Sequence, residues 1–313
     1  MTASASGDLR PTDHHVHLEG TLNRGLAREL ATRHGRAATL PSWPSDRWPD
    51  PATWFSTMRQ TGDCCLRDPE DYVAVARHYA GQLRRDGAAG AVLTVSLARA
   101  HRQHAAPGEV LGALVAYVTS TGQDDGPTLR LFVGLDRRRP ELAEEHAALA
   151  CGNAGPVVGI DLQGVPTAPL ERFAEAAALA HAHGLTVRVH AGEHEGPRSI
   201  SAALDVLGAT RIAHGITAVQ DDRLLCQLSG TGVVLDLALT GNVALGLTAS
   251  YRTHPLARLI EAGVPVTLGT DDPAYFGTTI ALEYARAAEL GVTDDELAAM
   301  QHRTPALQPA PTR

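Results

Sequence analysis

Lysine is absent from this chain of 313 residues, so all 27 of its Lys+Arg positions are arginine. Without lysine the protein cannot form a Schiff base through a side-chain amine or use lysine as a general base. It also cannot bridge two metal ions with a carbamylated lysine. A GC-rich genome accounts for the replacement, and its chemical consequence is that these three kinds of catalysis are excluded.

Other absences restrict the cellular context. No apolar run approaches the roughly 20 residues that a membrane-spanning helix needs, and residues 1–13 lack the apolar core of a secretory signal. A net charge of −8 disfavours a nucleic-acid backbone as a partner. The four cysteines lack metal-site spacing and indicate reduced thiols. We therefore expect a cytoplasmic protein that binds neither membranes nor nucleic acid.

Short β-branched or leucine-rich runs alternate with helical patterns along the chain. Two further helices follow the last run. The predicted strands are 12–18, 90–97, 129–135, 156–162, 185–191, 210–214, 232–237 and 264–270. The predicted helices are 22–34, 69–86, 108–121, 140–150, 169–183, 199–208, 220–229, 254–262, 278–290 and 294–301.

This alternation predicts an α/β protein with parallel strands. Eight strand–helix units in about 300 residues fit a single (β/α)8 TIM barrel with extra C-terminal helices. An open doubly wound sheet is the alternative, but no Gly-X-Gly-X-X-Gly marks a dinucleotide site. We assign residues 1–303 to the barrel and 304–313 to a proline-rich, disordered tail.

Segment 36–66 is predicted to be a long irregular connection after the first strand and helix. It contains four prolines and all three tryptophans of the chain, Trp43, Trp48 and Trp54, with Phe55 beside the last. In a barrel this position lies over the active mouth. We therefore interpret the segment as a lid, in which Trp54 and Phe55 contact the substrate.

The stretch DHHVHLEG, residues 13–20, places three histidines within four residues. Side chains at positions i and i+2 of a strand point to the same face, so His15 and His17 can bind one metal ion together. A solvated, histidine-rich tail is the alternative. The pattern at this one site does not decide between them.

Reactive side chains also follow other predicted strands. Strand five ends at His190 with Glu193 close behind, strand six ends at His214, and strand eight ends at Asp271 and Asp272. The carboxyl ends of barrel strands share one face, where catalytic residues collect. This coincidence favours a metal site over a solvated tail.

Zinc takes histidine and carboxylate ligands and, in hydrolytic sites, keeps a position for water. With no lysine and no second acidic cluster, the site should hold one metal ion. Glu193 is then free to shuttle a proton, with a pKa raised by burial beside the substrate. His214 could orient the hydroxide or accept its proton, and Asp272 could hold the substrate.

Taken together, these segments resemble the adenosine/adenine deaminase family of metal-dependent aminohydrolases. The resemblance covers roughly residues 12–301, with the motifs in family order and spacing. The matching segments are HHVHLEGTL (14–22), GIDLQG (159–164), VHAGEHEGPRSI (189–200), RIAHGI (211–216), LTGNVALG (239–246) and THPLARLIEAGVPVTLGTDDPAYFGTTIALEY (253–284).

The resemblance implies zinc-dependent hydrolytic deamination of a 6-aminopurine, a small-molecule partner. Glu193 would donate a proton to ring nitrogen N1, and His214 would position the attacking hydroxide. Asp272 would bond N7, and the backbone of Gly164 would meet the opposite ring edge. The catalytic set is thus Glu193, His214 and Asp271. The zinc ligands would be His15, His17, His190 and Asp271, with His17 also facing the substrate.

Three departures from the family pattern concern the substrate. Glu19 stands where nucleoside-specific members have an aspartate that meets the sugar hydroxyl. Val165 and Pro166 replace an acidic pair, and LTGN replaces the usual CPTSN. The sequence also stops before the family's last helix. The substrate could be adenine, adenosine or a modified adenine nucleoside. The alternatives are another mononuclear barrel hydrolase or a non-catalytic purine-binding barrel; the oligomeric state stays open.

Overall fold

All strands of the protein run parallel and follow one another around a ring. The structure, a computed structural model, describes residues 10–44, 47–121 and 126–303. Each strand is hydrogen-bonded to the next in chain order, which confirms the predicted (β/α)8 barrel over an open doubly wound sheet. The strands are β1 (Thr12–His17), β2 (Gly90–Ser96), β3 (Thr128–Asp136), β4 (Val157–Gln163), β5 (Thr186–Ala191), β6 (Arg211–His214), β7 (Val234–Leu237) and β8 (Val266–Leu268).

The ring closes where the chain just after β8 meets β1. The backbone N–H of Asp271 donates to the carbonyl of His15, and the N–H of His17 donates to the carbonyl of Asp271, both at 2.8 Å. Gly269 permits this approach, because a Cβ there would lie 2.5 Å from the carbonyl oxygen of His15. The first and last strands are therefore in direct contact at the mouth of the barrel.

Ten helices confirm the sequence prediction, with ends shifted by a few residues. Four more, α2, α4, α10 and α12 below, were not predicted. Three of these have only four to six residues, too short for a helical period to show. The helices are α1 (Arg24–Arg33), α2 (Pro51–Cys65), α3 (Pro69–Arg85), α4 (Leu97–Arg102), α5 (Pro107–Thr121), α6 (Ala143–Cys151), α7 (Ala174–Ala182), α8 (Pro197–Leu207), α9 (Asp222–Thr231), α10 (Leu239–Ala244), α11 (Leu256–Glu261), α12 (Pro273–Phe276), α13 (Ile280–Glu289) and α14 (Asp294–His302).

The prediction of an irregular connection over 36–66 is wrong for residues 51–65, which form helix α2. Asp50 caps this helix by accepting a hydrogen bond from the N–H of Thr53 at 2.7 Å, and a proline occupies the first turn. Trp43 and Trp48 precede the helix and pack against the ring of Tyr275. The many prolines in this segment suggested irregular structure, although one of them occupies the first turn of a capped helix. Residues 45–46 and the predicted tail, 304–313, lie outside the described residues.

A charged layer fills the barrel beneath the mouth. Arg188 of β5 is fully buried and donates to the carboxylate of Asp161 at 2.7 Å and to the carbonyl of His14 at 2.8 Å. Asp236 of β7 lies 3.4 Å from the same guanidinium and accepts from Arg211 at 3.0 Å. Burial raises the pKa of Asp161, but Arg188 outweighs it and holds that pKa well below its usual range. Asp161 is therefore ionised inside the protein.

Two expectations about the chain as a whole also meet the structure. All four cysteines are free thiols, as predicted. Within the ranges that the structure describes, every helix is too short or too polar to cross a lipid bilayer.

Buried histidines lead to a prediction that the fold loses stability in acid. Burial lowers the pKa of His254 to about 3 and that of His146 to about 4, from 6.5 in each case. The unfolded chain therefore binds these protons first, and stability falls as the pH decreases from 6.5 through the lowered values. At about 1.4 kcal/mol per pKa unit, each histidine removes up to a few kcal/mol.

Urea unfolding at neutral pH and at about pH 5 measures this loss. His146→Gln should reduce the difference between the two midpoints, because glutamine does not titrate. The control is His183→Gln, at an exposed position, which should keep the wild-type difference. Equal midpoints for the wild type at the two pH values would contradict the prediction.

Candidate active site

Four side chains from three strand ends point at one another in the mouth of the barrel. The Nε2 atom of His190 lies 3.2 Å from that of His15 and 3.3 Å from that of His17. Oδ1 of Asp271 lies 3.1 Å from Nε2 of His17 and 3.7 Å from Nε2 of His15. Four ligands in a tetrahedron around zinc are about 3.4 Å apart. These residues, the candidate metal cluster, have the donor types of a zinc site, and the four distances between them are close to its spacing.

Hydrogen bonds outside the cluster orient two of its rings. Nδ1 of His190 lies 3.2 Å from the Asp161 carboxylate, and Nδ1 of His15 lies 3.3 Å from the carbonyl oxygen of Asp236. Both partners can only accept, so Nδ1 carries the proton in each ring. Nε2 is then a free lone pair that faces the centre of the cluster, the form in which histidine binds a metal.

His214 was expected at the mouth of the barrel, and the structure brings a nitrogen of its ring within 4.8 Å of ligand atoms of His15, His190 and Asp271. Its proton is on Nε2, unlike the protons of His15 and His190. A chain of hydrogen bonds that starts at the backbone N–H of Leu256 explains this difference. Leu256 donates to Nδ1 of His254 at 3.2 Å, so the neutral His254 carries its proton on Nε2. That N–H donates to the side-chain oxygen of Asn242 at 3.1 Å, and the Asn242 amide donates to Nδ1 of His214 at 3.3 Å.

This relay determines what His214 can do. Its Nδ1 is an acceptor, and burial lowers the pKa of the ring, so the neutral imidazole carries its single proton on Nε2. That atom faces the site, 3.7 Å from the Glu193 carboxylate. His214 therefore offers an N–H donor rather than a ligand lone pair, which separates it from the candidate metal cluster.

Two of these residues have a backbone conformation that is uncommon outside glycine. His214 has φ 67° and Asp271 has φ 60°, both in the left-handed region. For a residue other than glycine this conformation destabilises the fold by about 1–3 kcal/mol. At Asp271 the two backbone hydrogen bonds that close the barrel hold this conformation. Strain of this kind collects at functional sites, because the surrounding fold must compensate for it.

Glu193 follows β5 and lies beside the cluster without belonging to it. Its carboxylate is 3.3 Å from His194 and 3.7 Å from His214. Burial raises the pKa of Glu193, but the two histidines together outweigh burial, and the net shift is downward. The raised pKa expected from burial is therefore not found. Glu193 is a carboxylate and is able to accept a proton.

Asp272 has the opposite character. It is fully buried, and neither carboxylate oxygen has a hydrogen-bond partner among the described residues. Burial and the adjacent Asp271 raise its pKa well above the usual range. Gly20 packs directly on it, because a Cβ at that position would lie 2.7 Å from the Asp272 Cα. A buried, protonated and unpartnered carboxyl group is suited to hydrogen-bond a ligand.

A cavity of about 640 Å³ opens over the cluster, with Glu193 and Asp272 in its wall. This is within the range of pockets that enclose small organic ligands. Both predicted lid residues from α2 line the cavity, whereas Trp43 and Trp48 do not. The apolar part of its wall includes Trp54, Phe55, Met58, Val165 and Pro166.

The two other predicted substrate-binding residues occupy different positions. Gly164 lines the main cavity and has φ 91°, in the region that favours glycine. Glu19 lines a smaller pocket that joins this cavity, and its carboxylate accepts the N–H of Ser96 at 3.1 Å. Glu19 is therefore beside the main cavity rather than over the cluster.

Three residues of the site were not identified from the sequence as functional: Asp161, Asn242 and His254. Asp161 interrupts the apolar strand β4, and a lone aspartate in a buried strand is a usable signal. Asn242 and His254 lie inside segments that carry the family resemblance. Their effect depends on the direction of hydrogen bonds, which sequence does not contain.

Comparison with known proteins finds similar sequences and similar folds. The family model described as adenosine deaminase matches residues 11–307. A putative adenosine/adenine deaminase of Streptomyces coelicolor is 34% identical over 304 residues, covering 93% of this chain and 89% of that protein. The structure of an adenine deaminase from Arthrobacter aurescens has a TM-score of 0.84 at 24% identity, covering 94% of this chain and 91% of that chain. A zinc-bound amidohydrolase from Burkholderia ambifaria has a TM-score of 0.82 at 21% identity, covering 94% and 84%.

The tautomers make a prediction about metal content. His190→Ala removes a lone pair from the candidate metal cluster and should abolish stoichiometric metal binding. His214→Gln removes a ring that offers only an N–H, so this matched variant should keep about one metal ion per chain. Elemental analysis of the purified variants measures both. Loss of metal in His214→Gln, or two tightly bound ions in the wild type, would contradict the assignment.

Proposed function

This chain belongs to the adenosine deaminase family of metal-dependent amidohydrolases, and on that premise we propose that it deaminates a 6-aminopurine base or nucleoside with one zinc ion. The relatives establish hydrolytic deamination of the adenine/adenosine type. One observation carries the proposal further. A carboxylate at Glu193, a protonated carboxyl at Asp272 and the candidate metal cluster face the same cavity.

The donor set supports zinc as the metal. Three imidazole nitrogens and one carboxylate oxygen are typical zinc ligands, and the relative from Burkholderia ambifaria contains zinc. A zinc ion held by His15, His17, His190 and Asp271 would act as a Lewis acid that makes hydroxide available near pH 7. Although burial opposes it, the neighbouring His17 and His15 hold the pKa of Asp271 below its usual range, so this ligand is ionised.

Glu193 and His214 have complementary parts in the proposed mechanism. The attacking water gives a proton to the Glu193 carboxylate, and the resulting acid passes that proton to N1 of the purine as oxygen adds to C6. The Nε2–H of His214 donates to the attacking oxygen and orients it. The hydroxyl proton of the C6 adduct then moves to the amino nitrogen, the C6–N bond breaks as the C6=O bond forms, and ammonia leaves. Of the two roles expected for His214, orientation therefore fits the relay, and proton acceptance does not.

Asp272 and Gly164 would position the ring. N7 of a purine only accepts hydrogen bonds, so a protonated Asp272 can donate to it. The backbone of Gly164 would meet the opposite edge of the ring. Trp54 and Phe55 on α2 would cover the purine from the apolar side and exclude water, the lid role expected from the sequence.

An ultraviolet screen of 6-aminopurine bases and nucleosides tests the function, since conversion to the 6-oxo form shifts the absorbance. Glu193→Gln should keep zinc and bind substrate analogues, while turnover falls by about 10⁴-fold or more, because glutamine cannot transfer the proton. If added zinc restores activity to Glu193→Gln, the residue only supports the metal site. If the wild type deaminates no 6-aminopurine, the proposed function fails.

Two substitutions at Asp272 test its role as a donor. Asp272→Asn keeps an N–H that can donate to N7, so kcat/KM should stay within about tenfold of the wild type. Asp272→Ala removes the donor and should lower kcat/KM by a further factor of about 10–100. Zinc content is measured on each sample. Equal losses in the two variants at unchanged zinc would show that Asp272 does not donate to the substrate.

A further inference from the structure

A cluster of arginines lines a side pocket that neither the metal nor the purine requires. The pocket has a volume of about 60 Å³, room for roughly four water molecules, which is also the number of oxygen atoms in a phosphate group. It shares Phe55, Arg59 and Gly164 with the main cavity, so one ligand can extend into both. Its arginines are Arg59, Arg99, Arg102 and Arg138.

Acidic neighbours neutralise only part of this charge. Arg138 is paired with Asp136 through two hydrogen bonds of 2.9 and 2.6 Å. Arg99 donates to Asp63 at 2.8 Å. Asp63 is thus already hydrogen-bonded to Arg99. Among the described ion pairs it is also the only carboxylate near the other two arginines, at 3.9 Å from Arg59 and 3.7 Å from Arg102. Both distances exceed those of a hydrogen bond.

Buried donors without partners also point to an absent ligand. Arg99 is 5% exposed, and its Nε has no hydrogen-bond partner among the described residues; its nearest carboxylate, Glu19, is 3.8 Å away. The Nε of Arg102 is buried and unpartnered as well. Burial lowers the pKa of Arg102, and the neighbouring Arg99 lowers it further. The Nε atoms of Arg137 and Arg188 are unpartnered as well, but only Arg99 and Arg102 place two such N–H groups in the wall of the side pocket. An acceptor with several oxygen atoms would satisfy both.

We propose that this side pocket binds a phosphate-sized oxyanion that the substrate itself carries. The inference rests on the proposed function and extends it: the preferred substrate is a phosphorylated 6-aminopurine nucleoside rather than a free base. Planar guanidinium groups bind phosphate with paired, charge-assisted hydrogen bonds. The two carboxylates that also line the pocket each face one arginine, Glu19 facing Arg99 at 3.8 Å and Asp136 facing Arg138 at 2.6 Å. Arg59 and Arg102 are left to bind the oxyanion.

The side pocket opens beside the candidate metal cluster. His17 of that cluster lines both cavities, as do Arg59, Arg138 and Gly164. A purine nucleoside whose C6 faces the cluster can therefore carry an oxyanion on its sugar into the side pocket.

The test compares kcat/KM for adenine, adenosine and the 5′- and 3′-monophosphates of adenosine. We expect one monophosphate to exceed adenosine by about tenfold or more. Arg102→Gln should remove most of this advantage and leave adenosine within about twofold, whereas Arg102→Lys should retain part of it. Arg252→Gln, at an exposed position away from both cavities, is the control and should change neither.

Calorimetry supplies a readout that does not depend on turnover. The preferred monophosphate should bind at least about tenfold more weakly to Arg102→Gln than to the wild type, and inorganic phosphate should compete with it. If adenosine or adenine is deaminated but no monophosphate is preferred, the inference fails while the proposed function stands. Activation of adenosine turnover by inorganic phosphate, without a preference for monophosphates, would also overturn it, because the oxyanion would then be a separate ligand.

If no 6-aminopurine is turned over, the proposed function fails, and calorimetry still decides the pocket. Binding of a monophosphate that Arg102→Gln weakens would support an oxyanion site. If the wild type and Arg102→Gln bind the monophosphate equally, or if neither binds it, the proposed oxyanion site is rejected.

Discussion

The contact between the end of β8 and β1 is the interaction on which the site depends. Two backbone hydrogen bonds of 2.8 Å connect Asp271 with His15 and His17. They close the barrel, and they also bring a carboxylate against two imidazoles that lie about 250 residues earlier in the chain. The left-handed conformation of Asp271 is stable because these bonds hold it. Barrel closure and the candidate metal cluster are thus one structural feature.

Hydrogen bonds of fixed direction then give identical side chains different chemistry. His190 faces an acceptor, Asp161, and therefore turns a lone pair to the centre. His214 faces a donor, the amide of Asn242, and therefore turns an N–H to the same centre. The buried Arg188 supports the first arrangement by keeping Asp161 ionised. The charged layer beneath the mouth thus orients the ring of His190, although it takes the place of apolar packing in the barrel core.

Much of the architecture was predictable because it is local. Each strand is visible in the sequence as a short β-branched or leucine-rich run, and most helices as apolar residues at helical spacing. The eight-fold alternation can therefore be seen without any structure. The position of His15, His190, His214 and Asp271 at strand ends followed from the barrel. Helix α2 was not predicted, because the prolines and tryptophans around its first turn suggest irregular chain, while the start of the helix depends on a single cap at Asp50.

The order of amino acids limits the chemistry that is available: the absence of lysine excludes several mechanisms, and the order of motifs specifies the family. How each group is protonated and paired depends on the folded chain. The pKa of Glu193 was expected to be raised by burial, but His214 and His194 lower it. Arg59 and Arg102, on α2 and α4, come to share one carboxylate. The reason is physical, since pKa values and charge pairing depend on distances between residues that are remote in sequence and that only the folded chain brings together.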